Sequence, residues 1–366
     1  MLKIVFLITI LYWIFLKPQS DKSVNRYITI CLFLCFAIIA FRSDVIYGDT
    51  YGYVYQFKHL CQMSLTQVLE MWDKDKFFWI VSYYLSVIFH GNYTLWFILI
   101  SLLVMIPLGK LIRKYSIEPM YSFVLFVYLG LLFFFMAGIR QTVAISFILM
   151  GALVLLDSSR TIKNRVIYYT LYVFLAYLFH GAAFVAILAL FFINRPLNRT
   201  TLFTYGLILV LCFVAGRYML SNVIGYIGQF DERYMGYGQN MRGATYTYFL
   251  QQFILILPSV IFLKKRLHEQ PITLLFHFSV IGLLFVSLSP VIAEMFRLSY
   301  FFSWANILLF TYTISEMRKC NKFYPIIFLA MFVLFVMLVF NSNEYYFFFE
   351  DVTHITTQFD TSEYLI

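Results

Sequence analysis

The chain has 366 residues, of which 62% are hydrophobic, 21% aromatic and only 12% charged. A soluble domain carries roughly a quarter charged residues, so these proportions exclude a water-soluble globular fold. The net charge of +9 suits a nucleic-acid partner on its face, but the basic residues sit in short loops between apolar runs and form no soluble basic surface, which excludes that class as well.

Apolar runs recur from end to end at about the 17–25 residues that cross a bilayer, and the ten-residue alternation of an outer-membrane barrel is absent. The expected fold is all-α, a polytopic bundle of transmembrane helices in one integral domain over 1–340. The first run, Leu2 to Leu16, resembles a signal peptide, but the following LKPQSDK offers no small-residue cleavage site; it is read as the first helix. The expected spans are approximately 2–16, 26–41, 94–112, 120–136, 139–157, 166–179, 182–193, 201–218, 247–263, 272–289, 296–314 and 323–340. The segment 77–90 is apolar but has 14 residues, a length that suits a re-entrant or interfacial piece.

Charge arbitrates the sides, because cytoplasmic loops collect Lys and Arg. If 77–90 does not cross, the inner loops hold 17 Lys+Arg against 5 Asp+Glu, and the outside keeps 10 basic and 13 acidic residues. If it does cross, the KKR at 264–266 and the RKCNK at 318–322 turn outward. The expectation is therefore 12 crossings with both termini outside; the alternatives are a 13-span arrangement with some other run demoted, and loops that do not follow the charge rule. The outer region 42–93 opens with Arg42, Asp44 and Asp49, and Asp49, Tyr53 and Phe57 recur every four residues, along one face of a helix. The segment 64–76 reads as a surface-lying amphipathic helix. A second outer region, 219–246, carries Asp231, Glu232, Arg233 and Arg242 among tyrosines. The tail, 341–366, has five acids and no Lys or Arg and reads as solvated. Two FHG tripeptides, at 89–91 and 179–181, hint at a repeat.

The stretch Phe133 to Ala144, FFFMAGIRQTVA, sets one arginine and one glutamine between two apolar runs, with no loop to hold them in water. An arginine at a membrane boundary is costly and marks a candidate site. Six arginines fall on the outside: Arg42, Arg140, Arg217, Arg233, Arg242 and Arg297. The guanidinium fork suits phosphate oxygens, so the set suits a lipid-linked phosphate or pyrophosphate at headgroup depth. Alternatively each snorkels or pairs with a local acid: Asp44 for Arg42, Asp231 for Arg233, Glu294 for Arg297. His180 and His90 each join two apolar runs, where an imidazole can move a proton near neutral pH or simply be hydrogen-bonded in the bundle. The five cysteines form no CxxC pair, and no disulfide framework, zinc site or other metal site is expected. GxSxG, P-loop and HExxH patterns are absent.

Taken together these residues resemble the EpsG-like group of Wzy-type polysaccharide polymerases, bacterial inner-membrane proteins of O-antigen, capsule and exopolysaccharide assembly. The resemblance rests on Arg42 followed by Asp49, Tyr53 and Phe57; on Arg140, Gln141 and Ala144; on Phe179 and His180; and on Arg297 and Tyr300. It runs from about residue 40 to 315. It implies a glycosyltransferase of the GT-C-like architecture, without a cofactor, that moves an undecaprenyl-pyrophosphate-linked glycan onto another lipid-linked repeat. On that reading Arg140 and Arg297, with Arg42 helping, stabilise the departing pyrophosphate. His180 is the first choice of base for the acceptor hydroxyl and Asp49 the second. Gln141, Tyr300, Arg242 and Tyr53 join the substrate-binding set. Membrane lipids, a chain-length-regulating co-polymerase and a flippase are the implied partners. The alternatives are an O-antigen ligase-like transferase, a flippase or exporter of lipid-linked glycans, and a membrane acyltransferase of sugars.

Overall fold

Backbone groups inside a bilayer find no water, and a helix is the structure that pairs them all within one segment. The computed structural model describes residues 2–16, 18, 20–46, 48–228, 246–289 and 295–339, and among these it forms helices and no strand. In chain order they are α1 (Leu2–Leu16), α2 (Asp21–Ala40), α3 (Gly48–Leu60), α4 (Leu65–Met71), α5 (Lys76–Ile88), α6 (Tyr93–Tyr115), α7 (Pro119–Tyr128), α8 (Leu131–Ala137), α9 (Ile139–Leu155) and α10 (Ile162–Phe179). A 3-10 helix, Gly181–Phe192, follows, then α11 (Arg199–Gly228), α12 (Thr247–Phe262), α13 (Ile272–Leu288), α14 (Met295–Cys320) and α15 (Phe323–Val339). Every expected apolar run lies on one of them. By length and composition α2 and α6 can each cross a bilayer, and the bent pair α7–α8 makes a third if it is one span.

Several expected segments take a particular form. The run 120–136 is broken: Gly130 takes a left-handed φ of +72°, which costs a side-chain-bearing residue more than glycine, and α7 and α8 meet there at 52°. The run 182–193 winds as a 3-10 helix. That form places every third residue on one face, and Ala183, Ala186 and Ala189 occupy that face fully buried. Small side chains there bring the backbone close to its neighbours, and Tyr169 on α10 donates to the Ala186 carbonyl at 3.0 Å. The expected helix over 64–76 stops at Met71, and the chain turns through 72–75 before α5 begins. The segment 77–90 is helical to Ile88; α5 measures about 20 Å against a hydrocarbon layer of about 30 Å. The two FHG tripeptides differ in backbone: His90 is left-handed and exposed, whereas His180 is extended.

The core centres on α14, buried at every residue from Ser299 to Ile314. It packs against α7, α9, α12, α13, α15 and the 3-10 helix, as a helix enclosed on all sides does in a large bundle. A second apolar cluster holds the 42–93 region down. Val54, Phe57 and Leu60 of α3 meet Phe78 and Trp79 of α5 and Trp96 of α6, with Phe57 stacked on Trp96 at 4.4 Å. This cluster fixes α3 and the start of α5 against α9.

Candidate functional site

Asp75 lies at the turn into α5 with φ +53°, a left-handed conformation unusual for a residue with a side chain. An aspartate at that position ordinarily caps its own helix. Here it makes no such bond; its carboxylate reaches other elements instead. Arg140, in the first turn of α9, donates from NH1 to Oδ2 at 3.0 Å. His180 Nδ1 lies 3.1 Å from the same oxygen. The Gly181 amide donates to Oδ1 at 3.0 Å. This amide opens the 3-10 helix, where the first N–H groups lack partners within the helix, so Asp75 caps that helix from across the site.

His180 ends α10 and precedes the 3-10 helix in an extended conformation. Burial by itself would raise the Asp75 carboxyl, but the His180 and Gly181 hydrogen bonds and the charges of His180 and Arg140 hold it below the usual carboxylate range. An ionised carboxylate only accepts. The His180 ring therefore carries its proton on Nδ1, and a neutral imidazole then has its lone pair on Nε2.

Arg140 is held on two sides. Its Nε donates to the Tyr53 hydroxyl at 2.8 Å, and the guanidinium lies 5.6 Å from the Tyr53 ring centroid. Tyr53 stacks in turn on Trp79, and Trp79 on Trp72, so the aromatic column sets where the hydroxyl points. One turn before Tyr53 on α3, Asp49 pairs with Arg297 of α14 at 3.7 Å. Gln141 is buried and donates from Nε2 to the Arg297 carbonyl at 2.5 Å, which pins the first turn of α14 to α9. The site thus gathers Asp49, Tyr53, Asp75, Arg140, His180 and Arg297. The side chains of Arg140 and Arg297 remain 29% and 52% exposed, open to an anionic ligand, while Asp75 at 12% is the shielded partner. Asp75 and His180 would be two ligands for a metal ion, and no third joins them among the described residues.

Other expected site residues sit elsewhere. Arg42 is 1% exposed; NH2 donates to the Met136 carbonyl at 2.8 Å, another bond reaches the Ile39 carbonyl, and the guanidinium covers the Phe97 ring at 3.7 Å. Its fork joins the ends of α2 and α8, apart from the cluster around Asp75. Its expected partner Asp44 pairs with Lys58 at 3.1 Å, and Arg297 pairs with Asp49. Tyr300 is buried, with its ring 4.1 Å from Phe134 and its hydroxyl beside Gly130, so it supports the α7–α8 bend beneath the site. Arg233, Arg242, Asp231, Glu294 and the tail lie outside the described residues, as does the side chain of Arg217.

Sequence reasoning missed Asp75. The signal was an aspartate two residues before an apolar run, a usual mark of a helix start, hidden by placing it inside an amphipathic helix.

No curated protein and no solved structure matches the chain. A family model described as the EpsG family matches residues 2–350, nearly the whole length over which the arginines, the histidine and the helices are arranged. The chain therefore belongs to the EpsG family, membrane proteins of the Wzy polysaccharide-polymerase type.

Proposed function

We propose that this chain is a glycosyltransferase of the bacterial inner membrane, crossing it twelve times in a GT-C-like bundle. It extends a polysaccharide by moving an undecaprenyl-pyrophosphate-linked glycan onto another lipid-linked repeat at the outer face. The observation that carries this reading is the convergence of Arg140, His180 and the Gly181 amide on one shielded carboxylate, with the Arg297 backbone carbonyl tied to α9 by Gln141.

The acceptor hydroxyl hydrogen-bonds to His180 Nε2, which takes its proton as the oxygen attacks the anomeric carbon. The bond from that carbon to the pyrophosphate breaks, and the pyrophosphate keeps the electron pair. Arg140 and Arg297 stabilise the negative charge that develops there. Asp75 holds the imidazole in the base tautomer and stabilises it once protonated. Asp49 keeps Arg297 near the site without burying it, and Tyr53 fixes the plane of Arg140.

The test is incubation of the purified protein with an undecaprenyl-pyrophosphate-linked repeat unit from its own host, without a nucleotide sugar. The expected result is a ladder at repeat-unit intervals with release of undecaprenyl pyrophosphate. No ladder, but movement of the same lipid between liposome leaflets, would replace the polymerase with a transporter. Transfer onto a lipid A core alone would make it a ligase.

A further inference from the structure

A cavity of about 1090 Å³ opens where α1–α2, α6–α7 and α14–α15 meet. It lies at the far end of the bundle from the candidate site. α14 carries Arg297 near one end and Arg318 near the other, a separation of about 32 Å along a helix. The polymerisation chemistry leaves it without a role.

Three cations line this cavity: Arg113 in the last turn of α6, Arg318 in the last turn of α14, and Lys322 between α14 and α15. Arg113 donates to the Thr29 hydroxyl at 2.9 Å, and Arg318 pairs with Glu118; each fork keeps further donors. Lys322 is exposed and makes no ion pair with another described residue. Two acids share the lining, Asp21 and Glu118. Burial pushes the Glu118 carboxyl up, and Arg318 only partly opposes this. The lining keeps a net positive charge. α7 begins here at Pro119 without a side-chain cap, so the positive end of its dipole adds to the field. The remainder is apolar, with Trp13, Ile14, Ile28, Ile117, Ile326 and Leu329 among the lining. Ile14, Ile117 and Ile326 are exposed. A free phosphate has no use for such a floor, whereas an acyl chain does.

We propose that this cavity binds an anionic phospholipid, its phosphate among Arg113, Arg318 and Lys322 and one acyl chain along the floor from Trp13 to Leu329. Basic pockets between helices at the cytoplasmic side of membrane proteins hold anionic headgroups, and the positive-inside rule sets this end in the inner leaflet. The lipid joins three helix pairs distant in sequence, and it does so whether or not the chain polymerises glycans.

The test uses Trp13, which lines the cavity. Full-length protein is reconstituted in phosphatidylcholine with graded phosphatidylglycerol carrying brominated acyl chains. The Trp13 signal is the difference between the wild-type protein and Trp13→Phe. Saturable quenching by brominated phosphatidylglycerol is expected, with non-saturating quenching by brominated phosphatidylcholine. In Arg113→Gln/Lys322→Gln the half-saturating fraction should rise about 25-fold, or about 5-fold per cation. Both changes leave Arg318 to pair with Glu118. Lys322→Gln alone, at an exposed site, should give about a 5-fold shift and serves if the double variant does not fold. Equal quenching curves for the two lipids, or curves that neither variant shifts, would overturn the proposal. Displacement of the lipid signal by millimolar inorganic phosphate would reassign the cavity to a free anion.

Discussion

Asp75→Asn tests the centre of the site, because it keeps the side chain's size and removes its charge. Three donors now converge on two carboxylate oxygens at 3.0–3.1 Å. An amide has one oxygen. If its NH2 takes the Oδ2 place, it faces Arg140 and forces His180 to accept on Nδ1, which moves the imidazole proton to Nε2 and removes the base. If its NH2 takes the Oδ1 place, it meets the Gly181 N–H instead. In both orientations Arg140 loses its counter-charge. Hydrogen bonds to a charged group contribute about 1.5–3 kcal/mol each; the neutral bond that survives offsets part of this, so the expected loss of stability is about 1–3 kcal/mol. A positioned base contributes about 10²–10⁴ in rate, and kcat for ladder growth should fall by that order with little change in KM. The assay is initial ladder growth at saturating lipid-linked repeat across a range of pH, beside thermal unfolding of the same preparation. His180→Asn added to Asp75→Asn should cost almost nothing more, because the two act as a unit. A kcat and pH profile equal to wild type, or fully additive losses, would refute the dyad.

The pH dependence of stability follows from the lowered Asp75 carboxyl. A depressed folded-state value means that the contribution is present above the ordinary carboxylate value of 3.8 and is lost as pH falls through the lowered one. The gap in unfolding temperature between wild type and Asp75→Asn should close as pH falls below about 4. Arg140→Lys keeps the charge but cannot bond Tyr53 and Asp75 together in the guanidinium geometry; polymer formation should fall at least about 10-fold while the protein stays in the membrane, read by product ladder and membrane fraction. Arg297→Ala removes an exposed pair, so unfolding should shift by less than about 1 kcal/mol while ladder growth drops sharply. An equal loss in both would make Arg297 structural. Gly130→Ala should cost about 1–2 kcal/mol through the left-handed backbone at the α7–α8 bend, measured by thermal unfolding.

The helical class, the place of nearly every helix and the family were legible in the sequence, because an apolar run in a bilayer has one economical way to pair its backbone. Arg140, His180 and Arg297 stood out for a related reason, as charged or polar groups at the edges of such runs. The break at Gly130 was less legible, since a glycine inside an apolar run does not announce its φ. The 3-10 form of Gly181–Phe192 left a trace in alanines at every third position, a period easily taken for ordinary small-residue packing.

Which polar residues share one site was decided only by the tertiary structure. Asp75 is 65 residues from Arg140 and 105 from His180, and no local pattern links them. They meet because Phe57, Phe78, Trp79 and Trp96 clamp α3 and α5 to the bundle, which turns the Asp75 carboxylate toward α9 and the 3-10 helix. The same packing buries Arg42 against backbone carbonyls while leaving Arg140 and Arg297 accessible. In the sequence all three are arginines beside an apolar run; burial against a neighbouring helix separates them, and burial is a property of the whole fold.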